Sequence, residues 1–181
     1  KNKKILVFGD RAGRRFADNS RYLFLYMSKN FKEFNCIWIT KEKSIHDYLY
    51  SKNLKCFYSN SFKGIYYSLR AKYHLFNFVE DDINRLITYF SDSILLWHGV
   101  LPKKLGIPKK YNQKNYVNKN LIKFLIYPNK MMAQNILDHF IDKKYDLFIS
   151  GLPRNILLDS IENNDLDDYY RTDNEIKFLK E

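Results

Sequence analysis

The sequence predicts an α/β fold, a Rossmann-like parallel sheet with helices on both faces. Along most of the chain, short apolar runs of strand length alternate with amphipathic stretches of helix length, the pattern that βαβ units produce. One run, residues 93–97 (SILLW), shows no alternation of polar residues, as in a central parallel strand buried on both faces. The length of 181 residues, with 45% hydrophobic and 28% charged, suits one globular domain with its own core.

The elements follow in order. Residues 4–9 (KILVFG) form a first strand, ended by Asp10 and a loop containing Gly13. Asp18 or Asn19 caps a helix over 20–31, with Tyr22, Leu23, Tyr26 and Met27 on its buried side. Residues 35–40 (NCIWIT) form a second strand, 44–51 a helix and 54–58 a third strand. A helix over 61–70 leads to a fourth strand at 73–78 and then to the strand at 93–97. Two more strands, at 123–127 and 145–150, flank a helix over 130–140. Residues 1–161 thus read as one Rossmann-like domain. The polar, acidic stretch 162–181 reads as a connector toward a further domain, and the chain starts with Lys, as a piece of a longer protein would.

The net charge of +11 is unevenly placed. From His98 to Lys130 there are eight lysines and no acid, whereas 161–181 carries seven acids against three bases. A positive field concentrated in one middle segment suits a surface that meets phosphates; a solvated lysine-rich loop is the plain alternative. Cys36 and Cys56 lie in apolar, strand-like segments and are expected to be free buried thiols. No apolar run approaches the ~20 residues of a membrane-spanning helix, and no signal-peptide pattern is visible. His46, His74 and His139 lack ligand-like spacing with Cys or carboxylates, so no metal site is expected. The run Glu80, Asp81, Asp82 reads as a solvated turn.

Three places carry chemistry, each where a parallel strand ends, the edge at which open α/β sheets bind ligands. The first is Trp97-His98-Gly99, followed by Lys103, Lys104 and Gly106. An imidazole is the side chain suited to take a proton near neutral pH, Gly99 permits a sharp turn, and the two lysines are placed to hold a phosphate. The second is Gly151-Leu152-Pro153-Arg154-Asn155, where a glycine turn and a proline at a first helical turn present Arg154 to an anion. The third is the loop from Gly9 to Arg21, with Asp18, Asn19 and Arg21 opening a helix. The G-x-G-x-x-G and G-x-x-x-x-G-K-[ST] spacings are absent, so no nucleotide cofactor is called for. Taken singly, a structural histidine, a strand-to-helix turn and a capped helix remain the alternatives.

Taken together, these segments resemble the CDP-glycerol glycerophosphotransferases of teichoic acid and capsule synthesis. That family shows a strand running into W-H-G with P, L, K, K and G, a later G-x-P-R-N-D and an early D-N-x-R-Y-L. Asp18-Asn19, Arg21-Tyr22-Leu23, Trp97-His98-Gly99, Lys103-Lys104, Gly106, Gly151 and Pro153-Arg154-Asn155 match in order and spacing over nearly the whole chain. Two positions depart: Leu101 precedes Pro102, where the family has Pro then Leu, and Ile156 stands where it has Asp.

The resemblance implies the first half of a glycosyltransferase-B-like enzyme, with an acceptor-binding domain here and a donor-binding domain beyond. His98 would be the general base. Gly99, Lys103, Lys104, Asn19, Arg21, Gly151, Arg154 and Asn155 would bind substrate, with no metal and no cofactor. The implied partners are CDP-glycerol or another CDP-polyol as donor, a polyanionic or lipid-linked acceptor and an anionic membrane surface. The implied location is the cytoplasmic face of the membrane, peripherally attached, and the isolated half is expected to be inactive. A polymerase using CDP-ribitol or joining sugar phosphates, and a degenerate homologue, are the near alternatives. A basic nucleic-acid-binding module is the distant one, disfavoured because no helix carries a basic stripe; nucleic acid is not expected as a partner.

Overall fold

The computed structural model of the protein describes residues 1–78, 80–97, 122–130, 133 and 146–156. Seven strands form one parallel sheet in the order β3-β2-β1-β4-β5-β6-β7. They are β1 (Asn2–Gly9), β2 (Asn35–Thr40), β3 (Cys56–Tyr58), β4 (Ala71–Phe76), β5 (Asp92–Leu95), β6 (Ile122–Tyr127) and β7 (Asp146–Ile149). The described helices are α1 (Asp18–Asn30), α2 (Lys43–Ser51), α3 (Phe62–Arg70) and the single turn α4 (Arg85–Thr88). From β1 the chain builds outward to β3, then returns to the other side of β1, so the strand order reverses between β1 and β4. Such a switch point opens a crevice at the carboxyl edge.

The central strands are apolar on both sides because both sides are covered. On the face of α1 and α2, Phe8, Phe24, Trp38, Leu49 and Leu75 are buried together. Aromatic rings there meet edge to face: Phe16–Trp38 at 4.7 Å and Phe8–Phe24 at 5.5 Å between centroids, the arrangement that ring quadrupoles favour. On the opposite face, Val7, Ile37, Phe76, Leu95, Leu125 and Tyr127 form the second layer, with Tyr67 of α3 packed against it.

Each strand expected from the sequence exists, with bounds shifted by no more than a few residues. Cys36 and Cys56 are free and buried, and burial pushes their thiols up to about 11 and about 12, so neither is a reactive thiolate. The Ala133 amide donates to the Asn129 carbonyl (3.1 Å), a helical bond at the start of the expected 130–140 helix. The rest of that helix and the 162–181 connector lie outside the described residues.

Two expectations for α1 need correction. Its N-cap is Ala17, without a side-chain cap, because Asp18 and Asn19 bond elsewhere. Its buried stripe is Ser20, Arg21, Phe24 and Leu25 together with Tyr22, whereas Tyr26 is exposed. A purely apolar period passes over Ser20 and Arg21, polar residues that tertiary partners hold inside.

The amino edge is fastened by charge. Asp92, opening β5, pairs with Lys72 of β4 (2.6 Å) and with Lys123 of β6. Burial raises its carboxyl, but the two ammonium groups outweigh this and hold it below its ordinary range. Lys123 is therefore engaged at the edge away from the expected phosphate site. His74 is fully buried, its Nε2 2.9 Å from the Ser68 carbonyl and its Nδ1 3.0 Å from Thr88 Oγ1. Burial holds it down to about 4, so it stays neutral. Among the described residues no cluster of three potential metal ligands occurs.

Gly9 ends β1 where the chain after β4 crosses closely. A Cβ there would stand 2.2 Å from the Asp82 carbonyl oxygen, and a backbone atom cannot swing aside. Gly9→Ala is expected to cost roughly 1–3 kcal/mol through overpacking, readable as a lower urea midpoint with an unchanged slope. An unaltered midpoint would mean that the two segments separate freely.

Candidate functional site

The carboxyl edge is built from the segments that leave β1, β4, β5 and β7. Asp10 comes directly after β1 and is buried, with Asn77 as its side-chain hydrogen-bond partner. Burial raises its carboxyl to about 6, the Asn77 contact opposes this, and the nearby Asp82 and Asp18 raise it further. Asn77 comes directly after β4; its Oδ1 accepts from the Ser20 amide (2.9 Å) and its Nδ2 donates to the Ala17 carbonyl (3.3 Å). It thereby fixes the start of α1 against the sheet.

Asp82 is 1% exposed. Its carboxylate accepts from the Ala12 amide (3.0 Å) and the Phe78 amide (2.9 Å), so it is not part of a solvated turn. The Ala12 amide is available because Arg11, Ala12 and Gly13 all have positive φ (43°, 56° and 76°), a left-handed run that turns successive amides to one side.

Asn19 joins these pieces and is fully buried. Its Nδ2 donates to the carbonyls of Trp97 (2.7 Å) and Leu96 (3.3 Å) at the exit of β5, while its Oδ1 accepts from the Arg154 amide (3.2 Å) after β7. Beside it, Asp18 Oδ1 accepts from the Arg154 guanidinium (3.2 Å) and from the Asn19 amide (2.9 Å). Trp97 itself has φ 58°, a conformation costing an ordinary L-residue roughly 1–2 kcal/mol. Its buried indole and its Asn19-held carbonyl maintain that turn, leading directly into His98.

The early, middle and late segments singled out in the sequence are thus in direct contact. Asn19, Arg154 and Trp97 meet. Gly151 has φ 80°, and among the described residues no atom lies within 4 Å of where a Cβ would stand; it supplies a left-handed turn. The turn Pro153–Asn155 comes next, anchored by buried Leu152. Arg21 is buried, its guanidinium carbon 5.0 Å from the Tyr22 ring centroid and 5.6 Å from that of Phe16. Ile156, at the position of the family's Asp, packs against the apolar cluster on the α1 face. His98, Gly99, Lys103 and Lys104 lie outside the described residues.

Sequence reasoning gave Asp10 no chemical role, although it directly follows an apolar strand, the criterion that selected His98, and it placed Asn77 inside the expected strand 73–78, whereas β4 ends at Phe76. Within the Gly9–Arg21 segment it gave no separate role to Arg11, Arg14 and Arg15, exposed in the RAGRR loop after β1.

Buried polar groups converge at the carboxyl edge of a doubly wound parallel sheet, the edge at which open α/β sheets take their ligands. The family model described as CDP-Glycerol:Poly(glycerophosphate) glycerophosphotransferase matches residues 1–177. The chain belongs to that family. It is 26% identical over 184 residues to the teichoic acid poly(glycerol phosphate) polymerase of Bacillus spizizenii, covering 91% of this chain and 44% of that protein. Among solved structures, the wall teichoic acid polymerase TagF superposes with a TM-score of 0.64 at 21% identity, over 89% of this chain and 41% of that one. A variant of TagF soaked with CDPG superposes with a TM-score of 0.62 at 19% identity, over 89% of this chain and 43% of that one. The chain spans less than half the length of these relatives.

Two outcomes are expected here. Asn19→Ala strands the Trp97 carbonyl and the Arg154 amide and should destabilise by roughly 2–4 kcal/mol, measured by denaturant unfolding; a loss under half a kcal/mol would deny the bridge its role. The second concerns Asp10, whose folded-state value of about 6 lies above its ordinary 3.8. The folded state therefore holds the proton more tightly, and the contribution of Asp10 to stability falls as pH rises from about 4 to about 6. Asp10→Asn should be more stable than wild type at pH 7, by on the order of 2 kcal/mol, with the advantage fading below pH 4. A pH-independent difference would refute this.

Proposed function

We propose that this chain is the acceptor-side half of a glycosyltransferase-B-like enzyme that moves glycerol phosphate from CDP-glycerol to a lipid-linked or polymeric acceptor in teichoic acid or capsule synthesis. The supporting observation is the Asn19 junction, which brings the strand end before His98 and the Arg154 turn together, as a shared site requires.

In this reading His98 takes the proton of the acceptor's terminal hydroxyl. The freed oxygen attacks the β-phosphate of CDP-glycerol, the bond from that phosphorus to the bridging oxygen breaks, and CMP leaves. Gly99 lets the backbone approach the substrate. Lys103 and Lys104 hold the acceptor's phosphates, joined by Arg11, Arg14 and Arg15 on the neighbouring loop. Gly151 and Asn155 shape the opposite wall. Arg154 serves there too, ready to exchange its contact with Asp18 for a phosphate. Asn19 and Arg21, being buried, act through the walls they hold. The donor is bound chiefly by a second domain, to which 162–181 leads. The whole works at the cytoplasmic face of the membrane, attached peripherally; no helix among the described residues is long and apolar enough to cross a bilayer.

The test is a transfer assay with labelled CDP-glycerol and a glycerol phosphate acceptor. In the full-length protein, His98→Ala should lower kcat by ~10²–10⁴-fold, the usual worth of a positioned base, and the isolated chain should show no turnover. Wild-type rates from the His98 variant would remove the base, and turnover by the isolated chain would remove the two-half arrangement. A clear preference for CDP-ribitol over CDP-glycerol would reassign the donor.

A further inference from the structure

Three acids at the carboxyl edge feel one another's charge, and two of them have firm donors. Asp82 accepts from the Ala12 and Phe78 amides, and Asp18 accepts from the Asn19 amide and the Arg154 guanidinium. Asp10 is placed differently. It precedes the Arg11–Gly13 turn, yet its side chain makes no capping bond there; the Gly13 amide goes to its main-chain carbonyl instead (3.0 Å). Among the described residues its carboxyl has Asn77 as its side-chain partner, and Asn77 is also committed to the Ser20 amide and the Ala17 carbonyl. A carboxylate has about four lone-pair sites. Most of the acceptor capacity of Asp10 is therefore unused, in a residue only 4% exposed.

The fold does not ask for this arrangement. Asn77 fixes the start of α1 through its own bonds, without Asp10. Burial works against the ionised Asp10 carboxyl, as do Asp82 after β4 and Asp18 at the start of α1, while Asn77 and the Arg15 guanidinium favour it. An ionisable group kept against its own contribution to stability, beside the switch point between β1 and β4, marks a residue that meets a ligand.

The missing donors define what that ligand brings. A buried carboxylate with spare lone pairs is completed by an uncharged donor such as a hydroxyl. An ionised phosphate oxygen has no proton to give and would add further negative charge beside Asp10, Asp18 and Asp82. We infer that Asp10 binds a hydroxyl of the acceptor's terminal glycerol unit, accepting its hydrogen bond and leaving the neighbouring hydroxyl to His98. The inference rests on the proposed reading of the acceptor as a glycerol phosphate chain and adds a contact that recognises the polyol rather than the phosphate.

Two phosphate monoesters test it by nuclear magnetic resonance titration of the 181-residue chain. Glycerol 3-phosphate and methyl phosphate carry the same charged group and differ in their hydroxyls. At about pH 8 wild type should bind the glycerol ester roughly tenfold more tightly, the usual worth of a hydrogen bond to a charged group. That preference should shrink as pH falls through about 6, where Asp10 takes up its proton. In Asp10→Asn and Asp10→Ala it should drop to about threefold or less and lose its pH dependence. Methyl phosphate should bind these variants as well as wild type or better, because a negative charge is gone. Asp10→Asn is expected to be the more stable protein at neutral pH, so its lost preference cannot come from unfolding. A residue that only supported the fold would leave the preference where it was. A variant that keeps the wild-type preference overturns the inference. So does a wild type with no preference, whether it binds both esters equally or neither. The titration involves no donor nucleotide and no turnover. Failure of the transferase reading would therefore show in the His98 assay and leave the preference untouched, whereas a missing preference beside an intact His98 assay removes Asp10 alone.

Discussion

One carboxamide holds the carboxyl edge together. Asn19 uses both ends of its planar amide at once, donating to the strand-exit carbonyls of Leu96 and Trp97 and accepting from the Arg154 amide. A carboxylate in its place has no donor for the carbonyls, and an aliphatic residue leaves both sides unsatisfied in a buried region. The junction also explains two conformations that are locally unfavourable. Asp18 and Trp97 both have positive φ, and each lies next to or within the hydrogen bonds that Asn19 makes. Backbone strain of this kind persists only where surrounding contacts over-determine it.

The two edges of the sheet solve different electrostatic problems. At the amino edge, a partly exposed ion triad of Asp92 with two lysines ties three strands side by side. At the carboxyl edge, acids are buried and satisfied chiefly by uncharged groups: Asp82 by backbone amides, Asp10 by Asn77. Desolvation is therefore felt at the edge where the chain exposes Arg11, Arg14 and Arg15 alongside. The basic side chains of that loop stand in solvent, whereas Asp10 and Asp82 are buried.

The sheet was legible in the sequence because parallel strands buried on both faces read as unbroken apolar runs, and the seven runs fell where seven strands are. The site was legible in part. Strand ends led to the Trp97 exit and the Gly151 segment, whose neighbours Trp97 and Arg154 both bond to Asn19; the same rule applied evenly would have found Asp10, whereas Asn77 fell inside the expected strand 73–78. What stayed hidden depended on tertiary partners. Asn19 looks like a helix cap in one dimension, since capping needs only a neighbour in sequence, while its actual partners lie 77, 78 and 135 positions away. Asp82 looks like a solvated turn residue for the same reason. An apolar period alone rotates helix α1, assigning Ser20 and Arg21 to solvent, and nothing local reveals the Asn77 side chain that meets the Ser20 amide.

The seating of α3 on a glycine and a serine separates two constraints that most helices combine. Ordinarily the large side chains of a surface helix serve the interior, so change is restrained by packing whatever the exterior does. Here one large ring, Tyr67, packs on the interior beside the small Gly64 and Ser68, and the helix's other big residues stand on the exposed side. That surface is free to diverge without unsettling the sheet beneath it, so any restriction on its variation among relatives would be a record of what it touches.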